Sequence, residues 1–163
     1  AHIANKSALT GHLVFSTLHT NDAVSTVTRL MDMGIEPYLL SSTLLGVMAQ
    51  RLVRMNCPHC LGEEEVSEVV RGNLNLAPNE KFYRGSGCEA CNQMGYRGRM
   101  TVCELLAITP DIARLINDEA PMQKLQETAV AQGMTRLGDN AIALARQGKT
   151  SIEEILAVQL ENG

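Results

Sequence analysis

The sequence predicts a mixed α/β chain that carries a small four-cysteine module and closes in an α-helical bundle. Three observations predict it. A short run rich in β-branched and apolar residues, His12–Leu18 (HLVFSTL), is followed at once by helical periodicity. Two C-x-x-C pairs, Cys57-Pro58-His59-Cys60 and Cys88-Glu89-Ala90-Cys91, stand in the middle of the chain. From Thr109 onward, caps, prolines and glycines punctuate a series of short helices.

At 163 residues there is room for one ordinary domain, or for a part-domain with a small module attached. Aromatic residues are only 3% of the chain and Trp is absent, so the core must be aliphatic, with the 8 Met as adaptable fillers. A formal net charge of -4 argues against a nucleic-acid partner, since such modules present a basic face. Arg51, Arg54, Arg97 and Arg99 flank the cysteine pairs and leave room for a local basic patch. No apolar run of about 18 residues occurs, and the first residues lack the pattern of a signal peptide. The expectation is a cytosolic protein with no transmembrane segment.

Ala1–Thr10 reads as the middle of a helix, with neither a start signal nor an initiator Met, so a piece of a longer protein is expected. Gly11 breaks that pattern, and His12–Leu18 is expected to be a buried strand whose sheet partners come from elsewhere. After it, His19-Thr20-Asn21-Asp22 offers capping side chains for a helix carrying Val24, Val27, Leu30 and Met31, which stops at Gly34. Pro37 is expected to open a deeply buried helix through Leu39, Leu40, Leu44, Leu45, Val47 and Met48, ending in Gln50-Arg51-Leu52-Val53-Arg54.

Between the cysteine pairs, Glu63–Val70 suits a short acidic helix, and Pro78–Tyr83 a turn leading into a strand. Gly85, Gly87, Gly95 and Gly98 crowd around the second pair, where the backbone has to turn tightly. Tyr96-Arg97-Gly98-Arg99 leads into a strand around Val102, in which Cys103 reads as a buried, inert thiol. Helices then start at Thr109-Pro110-Asp111, at Pro121 (Leu125, Ala129 and Val130 inward), at Thr135 (Leu137, Ala141, Leu144 and Ala145 inward) and at the capping box Ser151–Glu154 (Ile155, Leu156 and Leu160 inward).

The paired C-x-x-C motifs carry the sharpest chemistry. Two thiolates two residues apart reach one metal ion through a tight knuckle, and a second knuckle completes a closed tetrahedral zinc site. With Cys57, Cys60, Cys88 and Cys91 all ligating, no position is left for water, so the zinc is structural. Residues 61–87 make a longer interval than the usual zinc-ribbon spacing. A redox reading competes, because a low-pKa thiol in Cys-Pro-His-Cys could exchange disulfides. That chemistry expects a strand entering the motif, whereas a helix is expected here, and it gives the second pair no role. A set of unliganded thiols is the blandest alternative.

His12 and His19 alone are unremarkable. Their setting is more telling: Ser16-Thr17-Leu18-His19-Thr20-Asn21 puts hydroxyls, an imidazole and an amide at the C-terminal end of an expected parallel strand, the edge where α/β sheets bind ligands. Such donors suit a phosphate, yet no G-x-x-x-x-G-K-[S/T] loop occurs in the chain.

The stretch Thr10–Ala23 (TGHLVFSTLHTNDA), then Gln50-Arg51-Leu52-Val53-Arg54, the four cysteines, and Gly95-Tyr96-Arg97-Gly98-Arg99 ahead of Glu104-Leu105-Leu106 closely resemble the type II secretion and type IV pilus assembly ATPases, the GspE/PilB family, with its MSHA-type pilus biogenesis members. The resemblance spans the chain with its motifs in family order. It implies that Gly11–Asn21 is the family's His box, within a RecA-like P-loop NTPase domain that works as a homo-hexameric ring.

On that basis His19, with Thr17 and His12, lies near the γ-phosphate of ATP, and Gln50 and Arg51 lie nearby in the same domain. The resemblance also implies that the tetracysteine module binds Zn²⁺ and engages an inner-membrane platform protein. Retraction ATPases of the superfamily lack that module, so its presence points to assembly or secretion. Residues 1–56 are then the C-terminal part of the ATPase domain, 57–103 the zinc module and 104–163 the helical bundle.

The family's phosphate loop, acidic Mg²⁺-binding motifs and arginine fingers are expected to precede Ala1. The chain alone is therefore expected not to hydrolyse ATP, and the His12–Leu18 strand invites swapped or oligomeric packing. A zinc-dependent protein–protein adaptor is the alternative function. It explains the cysteines but leaves His12–Asn21 without a purpose.

Overall fold

The computed structural model describes residues 2–161, Glu161 by its backbone alone; Ala1, where the first helical pattern was expected to begin, lies outside the described residues. The fold is mixed α/β, with α1 His2–Leu9, α2 Ala23–Asp32, α3 Pro37–Thr43, β1 Gly46–Asn56, β2 Leu61–Glu64, α4 Glu68–Asn73, β3 Phe82–Gly85, β4 Tyr96–Ala107, α5 Pro110–Asn117, α6 Met122–Ala131, α7 Leu137–Arg146 and α8 Ile152–Glu161. β1 pairs with β4, and β2 pairs antiparallel with β3 in the register Leu61–Gly85 to Glu64–Phe82.

By its contacts the chain divides into two units. One comprises the chain up to Ala49 with Cys103–Arg136, the other Gln50–Val102 with everything from Leu137 onward. This division differs from the three consecutive segments 1–56, 57–103 and 104–163. Of the four C-terminal helices, α5 packs on α6 in the first unit and α7 on α8 in the second.

In the first unit α3 packs on α1 and α5, and α2 on α3 and α6, around Val27, Leu40, Leu106, Ile112, Ile116 and Leu125. α2 forms where the caps predict it. Asp22 Oδ1 accepts from the Ser25 amide at 2.6 Å, Ser25 Oγ accepts from the Asp22 amide at 3.3 Å, and Gly34, at φ +83°, takes the chain out of the helix beyond Met33. Thr109 caps α5 in the same way, with Pro110 at its first turn.

The expected strand His12–Leu18 is not one here. Residues 12–20 have no regular secondary structure, and Leu13, Val14, Phe15 and Leu18 are exposed, Phe15 at 88%. A strand needs a neighbour to pair its amides and carbonyls, and no strand among the described residues lies beside this one.

The expected long helix from Pro37 stops at Thr43, because Leu44 turns extended (ψ 124°) and β1 begins at Gly46. Val47–Arg54 reads as well with period two as with 3.6. Val47, Ala49 and Val53 are buried while Met48, Gln50 and Leu52 are exposed, and pairing with β4 decides for strand. A strand, not a helix, thus enters the Cys57 motif.

In the second unit the expected acidic helix over Glu63–Val70 is instead β2, which pairs with β3, followed by α4 with Ser67 as its cap. Phe82, Val53, Val102, Leu137, Ala145 and Ile155 form the core. Leu156 packs against that core partly buried, but Leu160 is 82% exposed; Val130, on α6 of the first unit, is also exposed. Cys103, on β4 where that strand enters the first unit, is half-buried and not fully buried as expected.

The Ser151–Glu154 capping box forms only in part. Ser151 Oγ accepts from the Glu154 amide at 3.5 Å, but the Glu154 carboxylate turns to Arg54, accepting from its amide at 2.6 Å and its Nε at 2.8 Å. Further hydrogen bonds hold the 149–152 segment. Thr150 Oγ1 donates to the Arg54 carbonyl (2.8 Å), the Asn56 amide to the Lys149 carbonyl (2.9 Å), and the Ile152 amide to Glu64 Oε2 (3.2 Å), while Tyr96 and Ser151 share a hydroxyl–hydroxyl bond (2.6 Å).

Candidate metal centre

Strand ends and the tight turns beside them place all four predicted cysteines. Cys57 follows β1 directly and Cys60 directly precedes β2. Cys88 comes shortly after β3, and Cys91 closes a single 3-10 turn, Glu89–Cys91, that leads to β4.

Two glycines make this packing possible. A methyl on Gly85 would collide with the Gly95 carbonyl, and one on Gly95 with the Gly85 carbonyl, so two backbones cross in direct contact. Gly95 also sits at φ +75°, where side chains are strained, and its carbonyl accepts from the Cys57 amide at 2.9 Å.

The four sulfurs lie within 4.8 Å of one another, with Cys57–Cys88 at 3.8 Å, Cys60–Cys91 at 3.9 Å and Cys88–Cys91 at 3.7 Å. A tetrahedron with zinc–sulfur arms of about 2.3 Å has edges of about 3.8 Å. The donor set and its spacing therefore fit one tetrahedral metal ion. Cys57 and Cys91 are buried and Cys60 and Cys88 half-buried.

Backbone amides point at the sulfurs. Gly87 donates to Cys60 (3.3 Å), Cys88 and Gly95 donate to Cys91 (3.2 Å each), and Cys91 donates to Cys88. These donors stabilise thiolates. At Cys91 burial raises the thiol pKa, but the Cys88 and Gly95 amides, with the Cys88 and Cys60 thiols, outweigh it and bring it down to about 6. At Cys60 burial wins over the Gly87 amide, and with the neighbouring thiols it pushes the value up to about 11.

The redox reading loses one argument and keeps another. A strand does enter Cys-Pro-His-Cys, yet the second pair stands within van der Waals distance of the first, which a dithiol exchanging with outside partners does not need.

The other predicted site residues are placed as follows. His12, Thr17 and His19 are exposed on the 12–20 segment, and His12 Nδ1 lies 3.1 Å from Thr10 Oγ1. Gln50 is exposed on β1, and Arg51 is half-buried, its Nη1 donating to the Gln50 carbonyl at 3.2 Å.

The partners of two buried carboxylates were not legible in the sequence. Glu104, on β4, accepts from the Ala23 amide at 2.6 Å. Glu154 holds Arg54, whose guanidinium lies 4.0 Å from the centre of the Tyr96 ring. Both pairings join residues far apart in the chain, so no local pattern announces them.

Set beside known proteins, residues 1–157 match the family described as "Type II/IV secretion system protein". The chain belongs to that family. Type II/IV secretion system relatives include the type II secretion system protein HxcR of Pseudomonas aeruginosa, 48% identical over 158 residues, which is 97% of this chain and 30% of that protein. The type II secretion system ATPase E of Vibrio cholerae is 46% identical, over 99% of this chain and 32% of its own length. The type IV pilus assembly ATPase PilB of Thermus thermophilus is 42% identical, over 99% and 19%.

The chain therefore spans about a third or less of these curated relatives. In fold it is similar to the crystal structure of the pilus retraction motor PilT with bound ADP, with a TM-score of 0.61 at 24% identity, covering 96% of this chain and 35% of that one. No helix among the described residues is long and apolar enough to cross a membrane.

Proposed function

We propose that this chain is the C-terminal part of a hexameric motor ATPase that couples ATP hydrolysis to protein export or pilin polymerisation at the inner membrane. The observation that carries the reading is the family match over residues 1–157, among relatives named as secretion and pilus-assembly ATPases. In the whole protein, residues 1–56 belong to a RecA-like nucleotide-binding domain, 57–103 to a zinc module and 104–163 to the C-terminal helices.

The exposed 13–19 segment, which pairs with no strand among the described residues, fits this reading, since its apolar side chains suit addition to a sheet built by the rest of the motor. At the end of that segment His19, with Thr17 and His12, donates hydrogen bonds toward the γ-phosphate of Mg²⁺–ATP, and Gln50 and Arg51 support the same domain. Such donors act where charge develops on the transferring phosphoryl group.

Cys57, Cys60, Cys88 and Cys91 hold a structural Zn²⁺, which when bound braces the module and leaves no open position for chemistry. The braced module meets a platform protein of the membrane, and the motor itself stays cytoplasmic, peripheral to the bilayer through that partner.

The test is ATP turnover by the full-length protein. It is expected to hydrolyse ATP, and His19→Ala to lower kcat by about a hundredfold with the hexamer intact. Residues 1–163 alone are expected to match a buffer blank. A full-length protein without turnover, or a His19→Ala variant indistinguishable from it, would refute the reading and favour a zinc-dependent adaptor.

A further inference from the structure

Glu104 is a carboxylate only 5% exposed, on the face of β4 that also buries Val102 and Leu106. An aliphatic side chain would fill that place without the penalty of burying a charged group, so the carboxylate needs a partner that repays desolvation. It has one. Glu104 Oε1 accepts from the Ala23 amide at 2.6 Å, across 81 residues of chain. Ala23 is the first residue of α2, and its N–H is one of the four that a helix cannot satisfy internally; the helix dipole also favours negative charge there.

What this contact holds in place is the exit of the 12–20 segment. Asp22 caps Ser25, Thr26 Oγ1 donates to the Asp22 carbonyl at 3.0 Å, and Thr20 shares a 2.6 Å hydroxyl bond with Thr26. From Thr20 to Thr26 the chain is fastened link by link, while residues 12–19 before it are exposed and outside any element. His19 is the first residue beyond the fastened stretch.

We propose that Glu104 is a positioning residue. It ties the start of α2 to β4 and, through Thr20, fixes the direction from which His19 leaves the folded unit. As an influence on turnover this rests on the reading of His19 as an ATP-facing residue; as a tether it does not.

The experiment compares Glu104→Ala with Glu104→Gln, whose side-chain carbonyl can still accept from Ala23. On isotope-labelled protein of this chain, amide spectra report Ala23 and imidazole spectra report His19. Turnover of the full-length protein carrying the same substitutions is measured beside His19→Ala. The expected result is displaced Ala23 and His19 resonances in Glu104→Ala and near-native ones in Glu104→Gln. For turnover, Glu104→Ala is expected to lose about tenfold in kcat with KM for ATP within about twofold, and Glu104→Gln to recover most of the loss.

Unchanged His19 resonances in Glu104→Ala overturn the proposal, as does a Glu104→Gln variant as impaired as Glu104→Ala. Displaced resonances, with turnover unchanged in both Glu104→Ala and His19→Ala, support the tether and overturn instead the assignment of His19 to ATP.

Discussion

At Cys91 and Cys60 the same packing acts in opposite directions, which gives the metal-free chain a distinctive pH dependence. Against burial, the amides of Cys88 and Gly95 lower Cys91 from 9.0 to about 6, so the unfolded chain binds that proton more tightly. Stability from this group therefore grows as pH rises from 6 to 9 and is lost as pH falls through 6. Burial raises Cys60 from 9.0 to about 11, so its contribution is present below 9 and lost as pH rises through 11. Urea unfolding of the metal-free protein is expected to show a maximum near pH 9; a decline from 6 to 9 would contradict the amide–sulfur geometry. Gly85 gives a second test at this scale. The glycines near Cys88 were legible in the sequence as a tight turn, but the reason is closer than a turn, because Gly85 and Gly95 touch backbone to backbone. Gly85→Ala is expected to destabilise the module by about 1–3 kcal/mol and to weaken its hold on metal, measured by competition with a chelating dye.

Elements were legible where local signals act alone. Asp22, Pro37, Thr109 and Pro121 each start a helix as their side chains dictate, and the glycines at 34, 133 and 148 all take positive φ beyond a helix end. Val47–Arg54 was not legible, since an apolar run fits helix and strand alike until β4 supplies a partner. The acidic helix expected over Glu63–Val70 failed at its start, because Glu63 and Glu64 pair with Tyr83 and Phe82 of β3, a partner that local sequence does not reveal. The start of α8 was legible as a cap, but not the destination of Glu154, which binds Arg54 from 100 residues away. Its side chain is 11% exposed. Glu154→Ala would leave the Arg54 amide and guanidinium without this carboxylate acceptor, and a loss of about 1–3 kcal/mol is expected in chemical denaturation. Glu154→Gln is expected to lose less; equal losses would show that packing, not the hydrogen bond, holds the helix start.

For the whole molecule, the sequence divides into consecutive segments while the contacts do not, because β1 and β4 each contribute residues to both units. That is a property of tertiary pairing, and no reading along the chain can supply it. The four cysteines were legible for the opposite reason: metal chemistry demands a spacing, and the spacing survives in the sequence. The candidate ATP-facing residues were legible by resemblance, and they lie on a segment with no sheet of its own among the described residues. The claim beneath the whole account is that strand ends and the tight turns beside them gather four sulfurs around one structural metal ion. Metal content of protein purified without added zinc, followed through chelation by hydrogen exchange, tests it most directly. About one tightly held equivalent is predicted, with chelation speeding exchange of the amides around Val53, Phe82 and Ile155 without unfolding that unit, while those around Val27 and Ile112 keep their protection. Less than about half an equivalent, with no change in exchange on chelation, would contradict it.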